Sequence, residues 1–296
     1  MATTVADLGD TIDTIHQKAI HARQFAAVMS SSAWTIRQAK GSSVNVPYFN
    51  EGTARTLTEG VDNVIEETMQ DTNVAVTYYE AGLKVILTNN VIEDDNEDLI
   101  ASAGIFLGNA YEKKLDNDLL TLLASGGTTL GGASTTLTMG HIAAGRAILM
   151  GNPTSAGGPA PTPYVCVIHP FCELDLVDVL TPIVPVVLAA SIGYGATPGS
   201  LLDEVLQRYS IGRLFGMPIL DDGNFSMTGT TDVKQGVFSA GTPGGIIYAP
   251  RRQPIVEPEK DASLRGIELN YYGRYGVSIF RSGWVVTLYN DCTTPA

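Results

Sequence analysis

The sequence predicts an α+β protein built around one exceptionally long helix, with extended strands before and after it. Three patterns carry that reading. Residues 90–124 place apolar side chains at helical spacing with no proline among them. Two alternating stretches within residues 32–88 bracket a polar excursion. From Ile255 to Thr287, apolar and polar positions alternate again, as in antiparallel sheet. A chain of 296 residues is long enough for one large domain or two closely joined ones.

The elements follow in order. Val5, Leu8, Ile12, Ile15, Ala19 and Ala22 predict a helix over residues 4–29. Val44, Val46 and Tyr48 alternate, as do Val74, Val76 and Tyr78, and then Leu83, Val85 and Leu87. The excursion between Asn50 and Asn73 carries Arg55, Glu59, Asp62, Glu66, Glu67 and Asp71 but few large apolar residues. Residues 41–88 are therefore expected to lack a core of their own and to become ordered on another molecule. In the long helix, Leu99, Ala103, Phe106 and Ala110 form one stripe. Ile100, Leu107, Tyr111 and Leu115 widen it, and Leu119, Leu122 and Leu123 complete it. Glu93, Asp94, Asp95, Glu97 and Asp98 suit the positive end of its dipole, and Gly126–Gly127 stop it. Its expected length is roughly 50 Å.

Ser125–Thr138 is Gly- and Thr-rich and reads as a linker. Further helices are expected over Met139–Met150, Phe171–Leu180 and Ser200–Tyr209. Tyr164–Ile168 reads as a buried strand, and Ile211–Leu220 as a strand broken by Gly216. Gly236–Ala240 and Gly245–Tyr248 read as strands, and Thr181–Pro198 as an apolar loop bearing Pro and Gly.

Composition narrows the function. Only 17% of residues are charged, against roughly a quarter in typical soluble domains. A low charge fraction suits a protein that covers much of its exterior with neighbours. The net charge of −13 argues against a surface that grips nucleic acid or anionic lipid. That acidity is local: residues 51–120 hold 15 of the 31 acidic side chains and four of the 18 basic ones. Three cysteines imply no disulfide framework. Neither a signal-peptide pattern nor an apolar run of membrane-spanning length is expected.

No motif assembles a reactive site. Cys166-x-x-His169-x-x-Cys172 lacks a fourth ligand and the paired spacing of structural zinc. Glu93–Asp98 lacks the spaced ligands of a calcium loop, and Asp221-Asp222-Gly223-Asn224 reads as a turn. Gly193-x-Gly195 lacks the context of a dinucleotide loop, and neither a phosphate-binding loop nor a nucleophile elbow is present. No catalytic residue, cofactor or metal is assigned. Trp34 and Trp284 read as core or interface anchors.

Thr88 to Asp95, Ala110 to Leu123, Val167 to Pro170, Ile211 to Ile219, Gly273 to Gly276 and Gly283 to Leu288 form an ordered set that resembles the tailed-phage major capsid proteins of the Hong Kong ninety-seven fold. Thr88 to Asp95 resembles the opening of that family's spine helix, and Ala110 to Leu123 its end. Val167-Ile168-His169-Pro170 and Ile211 to Ile219 resemble axial-domain strands. Gly273-Arg274-Tyr275-Gly276 and Gly283 to Leu288 resemble the peripheral-domain return. The resemblance implies an N-terminal arm (1–31), an extended loop (32–88), a peripheral domain with the spine helix (89–135 and 246–296) and an axial domain (136–245). Met1 stands directly before the arm helix, so any scaffolding is expected to be separate.

That resemblance also implies a structural subunit, not an enzyme, assembling through pentamers and hexamers into an icosahedral shell around double-stranded DNA. An encapsulin-like shell around protein cargo is the second reading. Expected partners are further copies of the chain, with portal, scaffolding and decoration proteins; no membrane is involved, and the DNA is enclosed without sequence-specific binding. The expected location is the virion capsid, assembled in the host cytoplasm. Across subunits, acidic Glu59, Glu66 and Glu67, with Arg55 beside them, are expected to meet Arg251, Arg252, Arg265, Arg274 and Arg281.

Overall fold

The computed structural model describes residues 28–37, 41–49, 52, 54–63, 66–94, 99–151, 159–180, 212–228 and 231–292. The expected helices at 4–29 and Ser200–Tyr209 and the loop Thr181–Pro198 lie outside these residues, apart from Val28 and Met29.

Two sheets meet along one helix. The chain is first described at α1 (Val28–Ser32) and β1 (Trp34–Thr35), followed by β2 (Ser43–Phe49), β3 (Asp71–Thr77) and β4 (Tyr79–Thr88). Helices α2 (Asn89–Glu93) and α3 (Leu99–Leu123) come next. At 25 residues the described α3 is about 37 Å long; residues 95–98, within the expected helix, lie outside the described residues. Leu99, Ala103, Leu107, Tyr111, Leu115, Leu119 and Leu123 recur every fourth residue and are all buried. Phe106, expected on this stripe, is 48% exposed, because one residue before Leu107 it is rotated about 100° away from the sheet.

After the helix the chain forms β5 (Thr128–Gly131), where a linker is expected, and β5 runs parallel to β13 (Val285–Asp291). The glycines explain the tight passage: a Cβ on Gly126 would lie 2.7 Å from the Val285 carbonyl oxygen. Helix α4 (Met139–Gly151), β6 (Tyr164–Ile168) and α5 (Pro170–Leu180) follow the expected boundaries closely. The broken strand at 211–220 is a small hairpin of β7 (Arg213–Leu214) and β8 (Met217–Asp221). Strands β9 (Met227–Thr228) and β10 (Asp232–Ser239) lead to a long hairpin, β11 (Ile246–Asp261) with β12 (Gly266–Ile279).

The larger sheet has the order β5-β13-β10-β6-β8-β7, with β9 beside β10. Helix α4 packs on it so closely that a Cβ on Gly145 would sit 3.2 Å from Val237 Cγ2. The second sheet has the order β1-β11-β12-β4. Near its far end a smaller cluster joins Leu87, Val91, Leu99, Ala103, Leu107 and Leu269.

The extended-loop expectation needs one correction. Strand β4 pairs with β12 over ten residues, from Thr88 opposite Gly266 to Tyr79 opposite Tyr275, so it belongs to the body. Strands β2 and β3 pair with each other, and Val44, Val46, Val76 and Tyr78 are buried in the main core. Residues 41–88 therefore do bury apolar surface on their own chain. Every described residue from Gly52 to Asn73 is exposed, and the lack of a core is confined to this outer part.

Candidate assembly surface

The outer loop between β2 and β3 turns its apolar side chains to solvent. Leu57 is 65% exposed, Val61 67% and Met69 71%. Its limbs are joined by the Arg55–Glu67 ion pair at 3.7 Å and a turn in which the Val61 N–H reaches the Thr58 carbonyl. Glu59 and Glu66 are exposed on the same excursion. Exposed pairs of this kind contribute below about 1 kcal/mol each, so they do not fix the loop alone.

The root of the loop is held by arginines of the C-terminal sheet. The Arg281 guanidinium lies 4.6 Å from the Tyr48 ring, 4.9 Å from Trp284 and 5.8 Å from Phe280. Arg251 and Arg274 lie 5.1 Å and 6.0 Å from the Tyr78 ring. Arg252 stacks on Tyr272 at 4.4 Å and donates to Glu80 at 3.1 Å. Planar guanidinium groups suit such stacking. Arg265, at the hairpin tip, adopts φ 49° and its carbonyl accepts the Asn89 N–H. Within one chain, then, four of the five C-terminal arginines grip the loop root or its neighbouring strands. Within the chain, Glu67 pairs with Arg55 of the same loop, a contact distinct from the expected pairing with the C-terminal arginines.

A second anchor ties β4 and β12 to the spine helix. Asp118 accepts hydrogen bonds from the Tyr79 and Tyr275 hydroxyls, each at 2.8 Å, and pairs with Lys114. The Tyr79 and Tyr275 rings meet edge to face at 4.8 Å, and Tyr111 packs on Tyr275 at 5.9 Å. Burial, with the Asp118 carboxylate beside them, pushes the Tyr79 and Tyr275 hydroxyls far above the ordinary phenol range. Burial also lifts Tyr111, up to about 12. These phenols stay neutral donors at any physiological pH. Beside them, a groove of about 690 Å³ runs over the sheet, lined by Glu80, Lys84, Arg252, Glu257 and Tyr272.

The cysteine–histidine motif resolves differently from its spacing. Cys166 is wholly buried in β6, and burial raises its thiol to about 12. His169 Nδ1 instead lies 3.0 Å from Cys292 Sγ, and the Cys172 thiol donates to the Asp291 carbonyl at 3.4 Å. The neighbouring Cys172, then His169, lowers the Cys292 thiol below its ordinary range. Cys292 is 1% exposed, beyond reach of a substrate. Among the described residues no group of His, Cys, Asp or Glu could hold a metal ion, and no helix is long and apolar enough to cross a membrane.

A body anchored on a spine helix, with an exposed loop projected away from its own core, suits a structural subunit of a larger assembly. The family comparison gives that class its identity: the phage capsid protein family matches residues 73–287, and the chain belongs to that family. No relative among curated proteins matches. The fold is that of solved phage capsid proteins of the Hong Kong ninety-seven type. A structure from Mycobacterium phage Che8 is 18% identical with a TM-score of 0.66, covering 84% of this chain and 85% of that one. The capsid of Ralstonia phage GP4 is 14% identical with a TM-score of 0.65, covering 90% and 91%. The capsid of cyanophage P-SCSP1u is 13% identical with a TM-score of 0.64, covering 91% and 89%. The chain is thus a structural capsid protein of a phage shell.

Proposed function

We propose that this major capsid protein associates into pentamers and hexamers that close into an icosahedral shell around double-stranded DNA. The observation that carries the reading is the outer loop, whose Leu57, Val61 and Met69 are exposed on a limb rooted in the body. Such side chains gain free energy only by burial, roughly 1.5–3 kcal/mol for each large apolar one, and a neighbouring copy provides it. Glu59 and Glu66 add charge on the same limb. Many weak contacts act together once each subunit is held by several neighbours. Assembly in the host cytoplasm, with portal, scaffolding and decoration proteins supplied by other chains, completes the proposal. An encapsulin-like compartment has no specific observation in its favour.

Electron microscopy of the purified protein, with nuclease-protected DNA measured in the particles, tests this reading. Shells enclosing DNA are expected from infected cells; protein cargo without DNA would overturn it. Replacing Leu57, Val61 and Met69 together by Ser is expected to leave monomer stability within about 0.5 kcal/mol, because the residues are exposed, while abolishing shells. Glu66→Lys with Glu67→Lys tests the charges separately, and normal shells from that variant would remove them from the argument.

A further inference from the structure

Where the spine helix α3, the turn after β8 and α1 converge, two carboxyl groups are enclosed together. Asp116 is fully buried and Asp222 is 4% exposed. Asp116 Oδ1 accepts the Met29 N–H at 3.1 Å, and Oδ2 accepts Asn224 Nδ2 at 3.0 Å. Asp222 Oδ1 accepts the Asn224 N–H at 2.8 Å. Among the described residues no donor reaches the buried Asp222 Oδ2, and the two carboxyls are brought together by Asn224, which donates to both. Two ionised carboxylates here would repel in a medium of low dielectric, and one oxygen would be left bare. A single proton removes both penalties: carried on Asp222 Oδ2, it makes that oxygen a donor to Asp116.

We propose that Asp116 and Asp222 form a shared-proton clasp that fastens α1 and the β8 turn to the spine helix while the proton is held, and that loosens when it leaves. Burial, then the hydrogen bond to Asp116, raises Asp222 to about 7, which places the change near neutrality. Among the described residues the charged surroundings are few. Helix α1 contributes only the Met29 amide, with no titratable side chain in Val28–Ser32. Strand β10 brings Lys234 to the small cavity it shares with Asn117 and Asn224. Asp221, next in the chain, lies at the exposed end of β8, and partial desolvation together with the nearby Glu173 carboxyl of α5 raises it as well. Helix α3 contributes Asp116 itself.

The sign follows from linkage. An unfolded aspartate titrates near pH ~3.9, so between there and about 7 the folded chain keeps a proton that the unfolded chain has lost. The stabilisation is complete below the unfolded value, falls as pH rises through the folded value, and levels off above it. For one proton, the unfolding constant increases up to about tenfold per pH unit in that window.

The test measures thermal unfolding of the full chain from about pH 5 to about pH 8, together with hydrogen exchange of the Met29 amide corrected for its intrinsic rate. In the parent protein, both stability and Met29 protection are expected to fall as pH rises. Asp222→Asn, whose amide can donate to Asp116 without titrating, is expected to flatten the Met29 response and to reduce the slope of the stability curve to its Asp221 component. Glu173→Gln is expected to remove only the Asp221 component of stability and leave the Met29 response intact. An Asp222→Asn curve parallel to the parent, or Met29 protection independent of pH in the parent, would overturn the clasp. Should that variant not fold, the parent's infrared C=O band of a protonated carboxylic acid decides: the band must be present near neutral pH and disappear by about pH 9, and its absence refutes the proposal.

Discussion

At the residue scale, the loop root depends on a few polar atoms set among aromatic rings. Asp118 accepts from Tyr79, Tyr275 and Lys114 at once, and Tyr275 is 1% exposed. Hydrogen bonds to a charged acceptor contribute more than neutral ones, so Asp118→Asn is expected to cost about 1–3 kcal/mol. Urea unfolding would show this as a lower midpoint with an unchanged slope. These contacts were illegible in the sequence. Tyr78 and Tyr48 read as alternating residues of a hairpin without a core, because the arginines that stack on them come from strands far along the chain; Glu80 and Arg252 are 172 positions apart. Asp222 read as one residue of a turn, and nothing in the string places it against Asp116. The His169–Cys292 contact escaped for the same reason, since spacing pointed to Cys166 and Cys172.

At the element scale, periodicity carried the reading wherever burial was one-sided. The spine helix, α4, β6, α5 and the C-terminal strands appear near their expected places, because apolar residues at a period of 3.6 or 2 mark a buried face. Strand β5 did not show itself: four residues of Thr, Thr, Leu and Gly carry no pattern, and only pairing with Val286–Tyr289 makes them a strand. The join between the loop and the body is equally tertiary. A Cβ on Gly276 would stand 2.7 Å from the Thr77 carbonyl oxygen, where β12 passes under the end of β3. Gly276→Ala is expected to push the loop root off the sheet at a cost of about 1–3 kcal/mol, with faster amide exchange in β2 and β3 as its signature.

On the scale of the whole molecule, a subunit made for many neighbours must still refuse the wrong ones. Strand β11 is covered on its outer side only where β1 pairs with Ile247 and Tyr248, so among the described residues the rest of that edge is open. Pro250, Pro254 and Pro258 lie along β11, with register breaks between Pro250 and Ile255 and charges at Glu257, Glu259 and Lys260. Proline and charge on an edge discourage sheet-to-sheet pairing. Pro258→Val is expected to leave monomer stability within about 0.5 kcal/mol yet increase aggregation, read by light scattering at equal concentration.

The anchoring of the outer loop has a mechanical consequence. Its two roots are gripped by the body, Tyr48 by Phe280 and Arg281 and Tyr78 by Arg251 and Arg274. A pull at Leu57 or Met69 would therefore be felt first at those two aromatic rings, where the limb meets the sheet.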